Sequence, residues 1–144
     1  MFSKACEYGI KAVIYIATQT MNNTRVKIGD IVDHIGSPEA FTAKILGALT
    51  KHDIVKSYTG PYGGFEIETR RMESIKLSEI VFAIDGDSIY KGCGLGLSEC
   101  NSDQPCPMHD HFIHIREELR NMLETTSIYD LATGLKAGHS ILNR

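Results

Sequence analysis

Three cysteines and a histidine share one short stretch of this chain, with Cys93, Cys100, Cys106 and His109 set among Gly, Ser, Asn, Asp, Gln and Pro. Thiolates and imidazole are the groups that bind zinc or hold iron–sulfur clusters, and a loop-like segment lets them converge on one centre. A disulfide staple would suit a small secreted chain, but no signal-peptide pattern opens the sequence and the fourth cysteine, Cys6, lies in a distant helical pattern. Inert buried thiols sit in apolar runs, which this stretch is not. Six residues separate the first cysteine pair and five the second, wider than the two-residue knuckle of zinc ribbons and fingers. That spacing favours an iron–sulfur cluster of the two-iron or four-iron type and leaves zinc as the alternative.

Composition narrows the surroundings of such a centre. The 144 residues are 42% hydrophobic, enough for one compact domain with or without an oligomerisation arm. No apolar run approaches the ~20 residues of a membrane span, so the expectation is a soluble cytoplasmic protein with no membrane partner. The net charge of −3 is uneven. Residues 1–76 carry ten Lys/Arg against eight Asp/Glu, and residues 77–144 five against ten. Only the first half is suited to meet phosphate.

Apolar spacing predicts a first helix from Lys4 to Thr20, broken at Asn22-Asn23, and a second over Ile28–Ile35 ended by Gly36. Ser37 reads as the N-cap of a third helix, with Pro38 in its first turn and Phe41, Ile45, Leu46 and Leu49 buried. A β-rich run at 54–58, a Gly-rich turn at 60–64 and alternation over 65–68 then read as a hairpin. A fourth helix ends near Asp85-Gly86, a long amphipathic helix starts near His109, and Ser127 caps a final short one. The expected class is therefore mainly α with a small β-hairpin wing: a winged helix-turn-helix domain over 1–86, a cysteine loop over 87–108, and a dimerisation helix with C-terminal helix over 109–144. The long helix, with Phe112, Ile113, Ile115, Leu119, Met122 and Leu123 in its stripe, calls for a partner subunit as cover.

In that arrangement Glu39, Ala40, Thr42, Ala43 and Lys44, just after Pro38, are the solvent-facing positions placed to reach bases or phosphate. Lys56, Ser57, Tyr58, Thr59 and Tyr62, around the Gly60-Pro61 turn, with Lys27 at the start of helix two, are the better phosphate candidates. Any one of the helix-three positions taken singly reads equally well as an ordinary solvated residue. The Gly92-to-Gly96 run lacks a preceding strand and a following P-loop lysine, which removes a nucleotide loop. Cys6 reads as a packed core thiol, His34, His52, His111 and His114 as surface residues, and His139 as part of a disordered tail. An enzyme would need a catalytic acid–base constellation, and the sequence shows none. A metal-delivery module without DNA binding is the remaining rival.

The segment from Ser3 to Val13, the Phe41–Leu49 helix, the G-P-Y-G-G-F wing at 60–65, the Ser74–Ile80 entry into helix four and the three-cysteine loop together resemble the Rrf-two family of bacterial transcription regulators. The resemblance covers almost the whole chain in order. It implies a homodimer whose long helices cross, with each DNA-reading unit in a major groove of a palindromic double-stranded operator and each wing over a minor groove. It implies an iron–sulfur cluster on Cys93, Cys100 and Cys106, sensing redox state, nitric oxide or iron–sulfur status. The fourth ligand would be His109 in one branch of the family or Glu7 from the other subunit in another. Three departures stand out. The first cysteine gap has six residues where five is usual, Thr59 replaces a common wing arginine, and Asp53-Ile54 replaces Gly-Leu.

Overall fold

A computed structural model describes residues 1–142. Helix α1 (Lys4–Met21) is its spine. Ser3 starts it as N-cap, its hydroxyl accepting from the Cys6 N–H and donating to the Asp85 carboxylate, 2.6 Å to Oδ2. Cys6, Ala12, Val13, Ile16 and Ala17 are fully buried along one face. Gly9 leaves room for the Ile84 side-chain tip, which a Cβ there would displace. Asn22 caps the C-terminus, and Asn23 turns the chain at φ 59°.

Helix α2 (Ile28–Ile35) ends at Gly36 in the left-handed conformation, whose N–H bonds Val32 O at 2.9 Å. Helix α3 (Glu39–Lys51) follows with one correction to the sequence reading. Pro38 is the N-cap, while Ser37 is buried and its hydroxyl pairs with Thr42 Oγ1 at 2.5 Å. A proline N-cap has no side-chain acceptor, and Thr42 instead bonds Pro38 O at 2.7 Å, holding the first turn from inside.

The wing is an antiparallel pair, β1 (Lys56–Tyr58) and β2 (Gly64–Glu66), in register Lys56 with Glu66, Ser57 with Phe65 and Tyr58 with Gly64. Its strands are shorter than the sequence runs, because Ile54, Val55 and Ile67 leave the ladder and enter the core. Val26 adds a bridge to Phe65, with N···O distances of 3.1 and 2.7 Å, so the chain before α2 forms a third edge on the hairpin.

A short 3-10 turn (Thr69–Arg71) leads to α4 (Leu77–Asp85), a one-turn α5 (Ser88–Lys91), the cysteine loop, α6 (His109–Thr125) and α7 (Ile128–Lys136). Ser127 caps α7 as expected, its hydroxyl accepting from Asp130 N–H at 3.0 Å. The C-terminal helices do not stand apart from the N-terminal half: α7 packs on α1, and Leu123, Ile128 and Ala132 are fully buried in the same core as Ile16, Leu46 and Ile80. Backbone bonds from Leu77 to Thr126 O and from Ile128 to Ile75 O, 2.9 and 3.0 Å, stitch α4 to the α6–α7 junction. The α6 stripe divides as a result. Phe112, Leu119 and Leu123 turn inward, whereas Ile113, Ile115 and Met122 remain exposed, Ile115 at 57%. Among the described residues no helix is long and apolar enough to cross a membrane.

Candidate DNA-binding face and cysteine loop

The cysteine loop spans from α5 to α6, with both flanking helices continuous with the core described above. Its three thiols are free and half-buried. A turn closed by Gly96 N–H on Cys93 O, 2.9 Å, follows the first of them. The N–H groups of Leu95 and Leu97 hold the Cys93 thiol below its ordinary pKa, with Cys106 contributing less. Cys100 Sγ lies 3.4 Å from His109 Nδ1 and 3.4 Å from an Arg116 guanidinium nitrogen. His109, the first residue of α6, is only 7% exposed, and its N–H bonds Cys106 O at 3.0 Å.

The four loop donors thus stand as two neighbouring pairs, Cys93 with Cys106 and Cys100 with His109. Among the described residues no three metal-binding side chains converge on one point. Glu7, on α1, forms its ion pair with Lys4 at 3.2 Å. The donor chemistry fits an iron–sulfur cluster or zinc: soft thiols, one imidazole fixed by burial, and N–H groups aimed at sulfur. Cys6 differs in kind, since burial first and then the Asp85 and Glu7 carboxylates push its thiol up to about 12. It remains a neutral packed thiol. Gly94 packs flat on the Phe112 ring, where a Cβ would collide, and this anchors the front of the loop on α6.

At the start of α3, Pro38, Glu39, Ala40, Ala43 and Lys44 are exposed. Thr42 does not join them. It is 1% exposed, and its hydroxyl is spent on Ser37 and Pro38, so its expected contact with DNA is overturned by burial. On the wing, Lys56, Ser57, Tyr58, Thr59, Gly60, Pro61 and Tyr62 are all exposed, with Tyr62 at 90% marking the tip. Lys27 is exposed beside them. Lys56 is already paired with Glu68, which raises its pKa and, with Arg70 as second partner, lowers that of the carboxylate. His34, expected at the surface, is there, but its ring stacks on Tyr15 at 4.0 Å. His52 bonds Ala48 O through Nδ1 at 2.9 Å.

The sequence reading passed over Arg25. Its guanidinium lies 3.6 Å from the centre of the Tyr58 ring, its Nε–H donates to Glu66 Oε2 at 3.2 Å, and a terminal nitrogen donates to Tyr62 O at 3.3 Å. The signal that would have found it is the alternation Arg25-Val26-Lys27, apolar between two cations, the pattern of a half-buried edge strand. The Asp53 departure also gains a physical meaning. Asp53 has φ 58°, the left-handed conformation for which glycine is best suited, and its carbonyl accepts from Arg71.

Comparison with known proteins agrees with this geometry. The Rrf2 family model, described as an iron-dependent transcriptional regulator, matches residues 2–134. An HTH-type transcriptional regulator of Aquifex aeolicus (strain VF5) is 28% identical over 134 residues, covering 91% of this chain and 90% of the relative. CymR, described as the global cysteine regulator of B. subtilis, superposes with TM-score 0.73 at 20% identity, covering 92% of this chain and 96% of its own. T. potens IscR superposes with TM-score 0.73 at 18% identity, covering 98% and 92%. The exposed third helix and wing, joined through one core to a three-cysteine loop, are thus set in a known frame: the chain belongs to the Rrf2 family of winged-helix transcriptional regulators, a family of DNA-binding proteins and not of enzymes.

Proposed function

We propose that the chain is a homodimeric transcription regulator whose affinity for a palindromic operator is set by an iron–sulfur cluster on Cys93, Cys100, Cys106 and His109. The observation that carries it is the buried His109 ring beside the Cys100 thiol at the very start of α6. An imidazole fixed at the root of a core helix ties any change in the loop to that helix.

A cluster held by three thiolates and one weaker ligand supplies an iron open to nitric oxide, oxygen or metal loss. This chain's residues do the rest. The Leu95 and Leu97 N–H groups favour the Cys93 thiolate, Arg116 donates toward Cys100 Sγ, and Gly94 on Phe112 sets the loop against α6. A change in loop order shifts α6 at its N-terminal turn, and with it the spacing of two DNA-reading units across the subunit contact. The coupling can be small, because ~1.4 kcal/mol of differential binding is tenfold in DNA affinity. In this reading α3 enters the major groove through Glu39, Ala40, Ala43 and Lys44, while the wing lies over the adjacent minor groove.

A second reading is favoured by the pairing of Cys93 with Cys106 and by the described role of CymR in cysteine regulation: a zinc- or thiol-based switch on the same residues. Anaerobically isolated protein separates the two. A brown protein with stoichiometric iron and sulfide supports the cluster, whereas a colourless one with one zinc per chain, or with no metal and oxidation-dependent DNA binding, supports the switch.

A further inference from the structure

The geometry points to Arg25 as the cation that the wing presents to the DNA minor groove, seated on Tyr58 and aimed by Glu66, in place of a cation at position 59. The inference rests on the reading above that the wing lies over a minor groove.

The Val26–Phe65 bridge extends the hairpin to three strands. With Phe65 facing Val26 and Ser57 on either side, strand alternation puts the side chains at 25, 27, 56, 58, 64 and 66 on the other face. In that face Gly64 lies directly between Tyr58 and Lys27. Gly64 has φ 129° and its backbone is packed against Val26 O, so a side chain there is excluded twice over. The missing side chain leaves a notch through which Arg25 reaches diagonally across β2 to the Tyr58 ring. Glu66 takes the Nε–H, which fixes the plane of the guanidinium, and the Tyr62 carbonyl at the tip takes one terminal nitrogen. The side chain is still 37% exposed. An open cleft of about 650 Å³ adjoins this face, where Arg25, Lys27 and Tyr62 share the lining with the Glu66 and Glu68 carboxylates.

A planar cation held over an aromatic ring loses little freedom on binding and is weakly hydrated, and both properties suit insertion into a narrow groove. Narrow minor grooves occur at A·T tracts, where negative potential is greatest and no guanine amino group blocks the floor. Lys56 and Arg25 are each paired with a carboxylate, Glu68 and Glu66, and it is the planar guanidinium seated over Tyr58 that sets Arg25 apart. Thr59 offers no charge. Arg25 therefore confers on each half-site a preference for A·T at the base pairs beneath the wing.

The test uses the full-length protein and duplexes that it selects from a random pool. Selection should enrich A·T flanks outside the major-groove contacts, and replacing those flanks by G·C should weaken the wild type about tenfold. Arg25→Gln should lose about tenfold on the A·T duplex, show no further loss on the G·C duplex, and reduce the salt slope by about one. Arg25→Lys should keep the salt slope and lose the A·T preference, and Tyr58→Leu should follow Arg25→Gln. Thermal midpoints within a few degrees of wild type certify the fold of each variant, and Arg25→Lys carries the test if Arg25→Gln does not fold. Equal loss on both duplexes would reduce Arg25 to a phosphate contact and overturn the proposal, as would wild-type affinity in Arg25→Gln. Failure of the wild type to select any duplex would sink the DNA reading itself, a result distinct from either.

Discussion

Ser3 and Asp85 meet at 2.6 Å, so the residue that caps the first helix is held by the last residue of α4. The serine hydroxyl has two tasks, accepting from the Cys6 N–H and donating to the carboxylate. Ser3→Ala removes both, and a loss of about 1–2 kcal/mol is expected. Chemical denaturation should show it as a lower midpoint at unchanged slope. An unchanged midpoint would mean that water replaces the hydroxyl at no cost.

Cys93→Ala, Cys100→Ala and Cys106→Ala should each abolish stable iron and sulfide binding and leave a folded protein, because all three thiols sit on the loop and none belongs to the core. A variant that retains full iron content removes its cysteine from the ligand set.

His109 and Glu7 are separable by the same spectra. His109→Ala is expected to make the cluster labile, since the imidazole already stands beside Cys100, while Glu7→Ala should leave the spectrum unchanged. The reverse pattern would place the fourth ligand on α1 of the partner subunit.

The exposed side of α6 gives the test of dimerisation. Ile115→Asp places charge on an exposed apolar position and should yield monomers by light scattering with wild-type helicity. Leu119→Asp is a poorer choice, because Leu119 packs against the chain's own core and its replacement should lower thermal stability as well. Unchanged dimer mass in Ile115→Asp would move the contact elsewhere.

Asp53→Gly should be neutral or stabilising by up to about 1 kcal/mol, because φ 58° costs a residue with a Cβ more than it costs glycine. The Arg71 contact is to the Asp53 carbonyl and survives the change. A clear fall in the denaturation midpoint would show that the carboxylate itself stabilises the turn.

Much of this was legible from local pattern. Gly36 and Ser127 cap the helices that periodicity marked, and Cys6 is the packed thiol that its helical setting implied. What periodicity could not read were choices made by distant partners. Thr42 sits on a polar-looking turn, but the Ser37 hydroxyl beneath it satisfies its own and permits burial. Arg25 lies in a segment of only three alternating residues, and its extended conformation comes from the pairing of the adjacent Val26 with Phe65, a partner distant in the sequence. The loop has no period at all, so spacing could name its thiols without showing that they stand as two pairs. The long amphipathic helix looked free of its own domain because nothing local announces that α7 returns to α1.

That return of α7 makes the cysteine loop a span fixed at both piers. Cutting the backbone between Gly94 and Met108 would therefore not release the C-terminal third of the chain, because Leu123, Ile128 and Ala132 remain seated against α1. The nicked protein should migrate as two fragments under denaturing conditions and as one particle in native buffer. Metal capture in such a span carries a modest entropic cost, since the ends are already brought together by the core. Rearrangement of the loop would thus leave the core around α1 intact.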